Sequence, residues 1–354
     1  MPQSGPSSTS TEDQTGQGGG PANAAGQAAG AHAGPGTTRV TERLAHRTRA
    51  ADVFPTGWIR LSDLAFRVTA RWPADHSFFG PADDRHQDPM IIGETLRQTS
   101  MALAHAEFGT PLDTHFVMWD LSVTSDLSGL LLVDAAEPVT IDVVCSEVRR
   151  RGRGLSSMRT TMEFRRAGRL VARGTGSTGC TSPAAYRRLR ARQLDAMDSA
   201  IPLLPPVAPE LVGRDRVEDV VLAPADRPGT WLLRVDTSHP VLFPRPNDHV
   251  PGMILFEAAR QAATAASGSR TFLPTDMAAS FSRYAELDSP CLLEAEVLDK
   301  DKTDTDTDTD TDTGNGEVTV QVSGRQNDRP VFTATLTSAP HSRIPDHTPV
   351  RSSL

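Results

Sequence analysis

The sequence predicts an α+β protein built as two tandem copies of one unit, each an antiparallel sheet wrapped around a long central helix. Three observations predict it. Residues 76–98, "HSFFGPADDRHQDPMIIGETLRQ", and residues 239–261, "HPVLFPRPNDHVPGMILFEAARQ", align without a gap at an offset of 163 and share eight identities in 23 positions. Average composition would give roughly one or two. Each copy is then followed by strand-like runs rich in β-branched residues. Finally, the helical part of each copy is apolar on nearly every side, which requires other elements to cover all its faces.

The elements follow in order. Residues 1–40 are Gly, Ser, Thr, Ala and Pro with almost no large apolar side chain; such a segment cannot offset its ordering entropy and is expected to be a disordered tail. The first unit, 41–185, has the extended segment "LAFRVTARWPADH", the helix, and then "HFVMWDLSV", "PVTIDVVCSEV", "SSMRTTMEFRR" and "RLVARGTGST" as strands. Residues 186–212 read as an exposed helix followed by a Pro-rich linker. The second unit, 213–340, repeats the plan with "TWLLRVDTSH", its helix, "MAASFSRYAEL", "CLLEAEVL", "EVTVQVSG" and "PVFTATLTS". The Thr-Asp alternation at 303–313 falls between two of these strands and reads as a solvated loop insertion. Residues 341–354 are expected to be a flexible end.

Composition excludes several functions. Of the 354 residues, 38% are hydrophobic and 23% charged, with a formal net charge of −8, which argues against nucleic acid as the ligand. Lys300 and Lys302 are the only lysines, so Schiff-base chemistry and a phosphate-cradling P-loop lysine have little to work with. Cys145, Cys180 and Cys291 are odd in number and far apart, as expected for free thiols in a reducing compartment. No apolar run reaches membrane-spanning length and the N-terminus lacks signal-peptide character, so no membrane partner and a cytoplasmic location are expected. The "GTGSTG" at Gly174–Gly179 fits a dinucleotide fingerprint but lacks its βαβ surroundings. HExxH, CxxC and GxSxG motifs do not occur. No cofactor and no metal are expected.

The chemistry sits in the repeat. Glu94, Arg97 and Gln98, and their copies Glu257, Arg260 and Gln261, occupy positions i, i+3 and i+4, so each triplet shares one helix face. A self-satisfied Glu–Arg pair is common on exposed helices, but these flanks are too apolar for a solvated face. A carboxylate in an apolar pocket is expected to have a raised pKa suited to acid–base work. Arginine offers a donor fork for phosphate or carboxylate, and glutamine a donor for a carbonyl. His76 and His239 each precede a glutamate by 18 residues and are candidate catalytic imidazoles. His86 and His249 also match, just before each helix, where they would shape the turn.

"HVPGMILFEAARQAA" resembles the hotdog-fold β-hydroxyacyl-ACP dehydratases, in which a histidine loop precedes "PGVLxxEAxAQ". The doubled form, "HSFF…MIIGETLRQTS" with "HPVLF…DHVPGMILFEAARQ", resembles the A-factor biosynthesis family, the γ-butyrolactone synthases of actinobacterial signalling, over residues 45–340. That resemblance implies a tandem double-hotdog fold. It also implies an acyltransferase moving a β-ketoacyl group from acyl carrier protein to the hydroxyl of dihydroxyacetone phosphate. By analogy with dimeric hotdog enzymes it implies crossed pairs, His239 with Glu94 and His76 with Glu257. The dehydratase "GHFPG" stands here only as "SHPVLF" and "DHSFFG".

Two alternatives stand beside acyl transfer: a dehydratase or thioesterase on acyl-ACP or acyl-CoA, and a non-catalytic acyl- or butyrolactone-binding regulator. The duplicated helices are expected to have diverged, with Glu94 and Arg260 carrying most of the function. Docking of an acidic carrier protein would fall to Arg149, Arg150, Arg151 and Arg153, or to Arg187, Arg188 and Arg190.

Overall fold

The computed structural model describes residues 36–152, 154–195, 202–269, 272–298 and 317–338. Residues 1–35, the Thr-Asp run and the end from 339 onward lie outside the described residues, as do the expectations placed on them.

The strands are β1 (Thr38–Arg39), β2 (Pro55–Arg60), β3 (Ala65–Ala70), β4 (His115–Ser125), β5 (Val139–Arg151), β6 (Gly154–Arg166), β7 (Arg169–Thr181), β8 (Leu222–Pro224), β9 (Thr230–Leu233), β10 (Asp276–Phe281), β11 (Cys291–Leu298), β12 (Val318–Gln326) and β13 (Arg329–Ser338). They form one antiparallel sheet in the order β1-β2-β3-β5-β6-β7-β4-β10-β13-β12-β11-β9-β8. The order is a near-palindrome about the β4–β10 pair: β4 corresponds to β10, β7 to β13, β6 to β12, β5 to β11, β3 to β9 and β2 to β8. The two units are joined edge to edge, with Asp276 opposite Thr124 and Ser280 opposite Asp120. Pairing the two edges leaves neither exposed at the centre. The Gly174–Gly179 segment is the middle of β7, paired with both β4 and β6, and has no βαβ setting.

The helices are α1 (Glu42–Ala45), α2 (Met90–Ala106), α3 (Pro183–Asp195) and α4 (Gly252–Ser267). α2 packs against β7, β4, β6 and β2, and α4 against β11, β12, β13 and β8. Each is covered by the strands of its own half-sheet, the arrangement the apolar flanks require. Met90, Ile91, Ile92 and Leu96 on α2, and Ile254, Leu255 and Phe256 on α4, are at most 3% exposed. Each such side chain contributes roughly 1.5–3 kcal/mol by leaving water. The helices approach each other where Gly93 faces Phe256: a Cβ on Gly93 would lie 3.2 Å from the Phe256 ring. These residues are counterparts at the offset of 163, so the duplicated pair has become complementary, one large and one absent side chain.

Two details differ from the sequence expectation. The N-terminal tail expected for 1–40 stops short, because Thr38 and Arg39 pair with Trp58 and Gly57 and Val40 is 6% exposed. A chain starting at Gly36 is therefore expected to melt as the full chain does, whereas one starting at Thr41 melts several degrees lower through loss of β1 and the Val40 contacts. Equal melting curves for the two truncations would show that β1 contributes nothing. The other difference is α3, expected as an exposed helix, which buries Tyr186 and Arg190.

Candidate active site

The sequence-predicted triplets are brought together within each helix. Glu94 is fully buried. Arg97 grips it with Nε at 3.0 Å and Nη2 at 2.7 Å, and the Gln98 amide donates at 2.7 Å. A second cation reaches it from α1's end: Arg47 donates through Nε at 3.0 Å and also forms an ion pair through Nη2. Glu257 repeats this with Arg260 (2.9 and 2.7 Å), Gln261 (2.6 Å) and Arg214 (2.9 Å).

The second arginine of each cluster was not read from the sequence, although a signal exists. "RTRAADV" at 47–53 and "RDRVEDV" at 214–220 share Arg, Arg, Asp and Val at an offset of 167. The change of offset from 163 separates this short motif from the gapless repeat. Its remaining members also recur in role: Arg49 pairs with Asp52 at 2.7 Å and Arg216 with Asp219 at 2.8 Å.

The expected elevation of the glutamate pKa does not hold. Burial alone would raise it, but the guanidinium charges of Arg47 and Arg97 outweigh burial and hold Glu94 at about 2. The Glu257 carboxyl is likewise held low by Arg214 and Arg260 against its burial. Two guanidinium groups make each carboxylate an anchor that fixes cations rather than a group that exchanges protons near neutral pH.

The histidines are placed differently from the crossed pairing. His76 Nδ1 accepts from the backbone N–H of Phe78 and Phe79 at 3.1 and 3.0 Å, and its Nε2 faces Asp52 at 3.2 Å. His239 does the same with Val241, Leu242 and Asp219, at 3.2, 2.9 and 3.1 Å. Acceptor use at Nδ1 fixes the proton on Nε2, where it goes to the aspartate. Both nitrogens of both rings are thus engaged in shaping the turn, and no hydrogen bond joins His239 to Glu94 or His76 to Glu257 among the described residues. The crossing between units exists, but arginines make it: Arg47 donates to the Val241 carbonyl, and Arg214 to that of Phe78 at 3.0 Å.

The glutamines are also fully employed. Gln98 donates to the Asp52 carbonyl at 2.7 Å and accepts from Phe54 N–H at 2.9 Å, and Gln261 does so with Asp219 and Val221 at 2.8 and 2.9 Å. They tie each helix to the chain entering the sheet, which leaves them no donor for a substrate carbonyl.

What distinguishes the two clusters is a cavity of about 590 Å³ on the first. Arg47, Arg97 and Arg245 line it, with Leu96, Met101, Trp119, Met253 and Phe281 among its apolar walls. Arg245 donates to His46 Nδ1 at 2.6 Å; His46 Nε2 lies 2.8 Å from His105 Nε2, and His105 Nδ1 2.8 Å from the Thr110 carbonyl. The chain works with both rings neutral, the proton of each passing toward Thr110. Neutrality follows from the surroundings: burial, Arg245 and Arg97 push His46 down to about 2, and burial lowers His105. Burial, Arg97 and Arg47 likewise lower the Arg245 pKa, as expected where three guanidinium groups stand close together.

In the second cluster the charges cancel. Asp88 pairs with Arg214 at 3.1 Å, so two arginines meet two carboxylates. At the offset of 163 the first unit has Ala82 and Asp88 where the second has Arg245 and Pro251. Two exchanges thus move an arginine into the first cluster and keep an aspartate out of it. Arg260, expected to work beside Glu94, is 6% exposed, donates to the Val212 carbonyl and is not part of the cavity wall.

α3 buttresses the cavity's outer wall. Tyr186 OH donates to Asp248 at 2.7 Å; Arg190 reaches Asp248 at 2.8 Å and Glu286 at 2.6 Å. The His115 and Tyr186 rings stack with centroids 3.6 Å apart. Arg190, one of the arginines considered for carrier docking, is therefore consumed inside the molecule. Arg187 and Arg188 are exposed, as are Arg149, Arg150 and Arg151, and Arg153 lies outside the described residues.

Comparison with known proteins agrees with the duplication. The model of the A-factor biosynthesis hotdog domain matches residues 29–182 and 196–342. The chain is 45% identical over 298 residues to a 2-oxo-3-(phosphooxy)propyl 3-oxoalkanoate synthase of Streptomyces virginiae, covering 84% of this chain and 96% of that one. It is 42% identical over 297 residues to the protein of the same name in Streptomyces coelicolor, covering 84% and 90%. Among solved structures it is similar to a 12:0-ACP thioesterase from Umbellularia californica, at 14% identity with a TM-score of 0.45 over 78% of this chain and 98% of that one. With two matched segments spanning most of its length, the chain belongs to the A-factor biosynthesis hotdog family.

Proposed function

We propose that this protein is an acyltransferase that moves a β-ketoacyl group from acyl carrier protein to the hydroxyl of dihydroxyacetone phosphate, in the cytoplasm, as a step toward a γ-butyrolactone autoregulator. The relatives' name, 2-oxo-3-(phosphooxy)propyl 3-oxoalkanoate synthase, describes the ester of those two substrates. The observation that carries the reading is the surplus positive charge of the first cluster, where Arg47 and Arg97 share Glu94 as their one ion-pair partner, while Arg245 and Arg283 join them on a cavity wall whose carboxylates are Asp113 and Asp120. A phosphate dianion would balance it. Guanidinium forks suit phosphate oxygens, and a pocket partly removed from water strengthens the attraction.

The apolar wall supplies the second requirement. Leu96, Met101, Trp119, Met253 and Phe281 form a surface for an acyl chain beside the cationic end, so donor and acceptor meet in one pocket. Among the described residues no helix is long and apolar enough to cross a membrane, which suits an enzyme meeting a diffusible acceptor. In this reading Glu94 holds Arg47 and Arg97 in place, and the neutral cluster around Glu257 maintains the fold.

Incubating the pure protein with β-ketoacyl-ACP, with and without dihydroxyacetone phosphate, tests the proposal. A phosphorylated ester formed only with the acceptor is the expected result. Release of free acid without it would establish a thioesterase instead, loss of water from a hydroxyacyl substrate a dehydratase, and binding without turnover a regulatory protein.

A further inference from the structure

We infer that His249 is the general base of the transfer, taking the proton from the acceptor hydroxyl; this rests on the acyl-transfer reading above. An alcohol attacking a thioester needs a base within hydrogen-bond reach, and the cavity wall offers three imidazoles, His46, His115 and His249. His46 has both nitrogens committed, one to Arg245 and one to His105. His115 is stacked on Tyr186, with no hydrogen bond to either nitrogen among the described residues. Glu94 is held by two arginines. His249 is built differently.

Its Nδ1 lies 3.0 Å from Asp248 Oδ1 and 3.1 Å from the Tyr186 hydroxyl. That hydroxyl donates its proton to Asp248, so the proton between His249 and Asp248 sits on Nδ1. Asp248 is 2% exposed at its side chain and is gripped by Arg190, which keeps it ionised. His249 Nε2 is then an unprotonated acceptor with no partner among the described residues. A carboxylate-oriented imidazole with its other nitrogen open is the arrangement a general base requires. The copy in the first unit, His86, also sets its Nδ1 on a carboxylate, Asp83 at 2.9 Å, but it is not part of the cavity wall.

The step balances. His249 Nε2 takes the hydroxyl proton while the oxygen bonds to the thioester carbonyl carbon. The tetrahedral adduct collapses, breaking the C–S bond, and the imidazolium returns its proton to the departing thiolate. The products are the ester and the carrier's free thiol, with no change in oxidation state.

The test uses full-length His249→Gln and His249→Ala with β-ketoacyl-ACP and dihydroxyacetone phosphate, and His86→Gln as control. In both His249 variants kcat is expected to fall about 10²–10⁴-fold, with KM for dihydroxyacetone phosphate little changed. The acidic limb of the wild-type kcat profile should vanish in His249→Gln, and added imidazole should partly restore His249→Ala, which a folding defect would not allow. The profile is shaped as well by the groups that face this ring, namely Asp248, Tyr186 and Arg190 from the α3 side, Tyr284 and Glu286 beyond β10, and His115 on β4. His249→Gln with wild-type kcat, or with an unchanged pH profile, overturns the inference while leaving acyl transfer standing. Absence of ester from the wild type overturns both.

Discussion

Arg97→Met is expected to lower kcat/KM for ester formation roughly 10²–10³-fold, the range seen when a positioned donor to developing charge is removed. The fold should survive. Glu94 keeps Arg47 and Gln98 as partners, so the buried carboxylate is not orphaned, and methionine fills much of the volume of the arginine stem. What is lost is the partly exposed guanidinium on the cavity wall. Arg245→Ala should cost less, roughly tenfold in KM for the phosphorylated acceptor, because that residue is exposed overall and only its guanidinium end is drawn in onto His46, so water screens it more than Arg97. Kinetics on the two variants, with circular dichroism to confirm folding, check the ordering. Unimpaired esterification by folded Arg97→Met would mean that the phosphate binds elsewhere.

Much of this fold was legible because duplication doubles every signal. The spacing of His76 to Glu94 repeats in His239 to Glu257, and the apolar flanks of both helices require a sheet on all sides. The strand runs read correctly where β-branched residues dominate, as in β5 and β13. The edge-to-edge union of β4 and β10 was not legible, since it depends on how two finished units dock. The site was legible only in part. Glu94, Arg97 and Gln98 stand on one helix turn, where spacing implies contact, but Arg47 reaches the same carboxylate across 47 residues, a contact no local periodicity encodes. The histidines misled for a related reason: fixed spacing identifies a repeated role, and here that role is to cap the turn at Phe78 and Val241. The working asymmetry lies in residues that fail to repeat, Arg245 against Ala82 and Pro251 against Asp88. Identities between the copies draw attention away from them.

Glu257→Gln is expected to be the most destabilising of the single substitutions in the two clusters, by about 3–5 kcal/mol, the cost of leaving a buried charge without its partner. Glu257 is fully buried, and side chains around it are nearly so: Arg260 at 7%, Arg214 at 8% and Asp88 at 4% exposed. Removing its charge leaves Arg260 a neutral amide oxygen and the Val212 carbonyl, with Asp88, already paired with Arg214, as the remaining nearby carboxylate. Arg260→Met should cost less, because Glu257 retains Arg214 and Gln261. Combining Arg260→Met with Glu257→Gln should then cost less than the two singles added, since the double variant buries no orphaned arginine at position 260. Equilibrium denaturation of the four proteins measures each term. Glu257→Gln with wild-type stability but no ester formation would refute a structural role and move the chemistry to the second cluster. The physical reason to expect otherwise is the charge balance: two arginines against two carboxylates have nothing left over to hold a phosphate, whereas the cluster around Glu94 does.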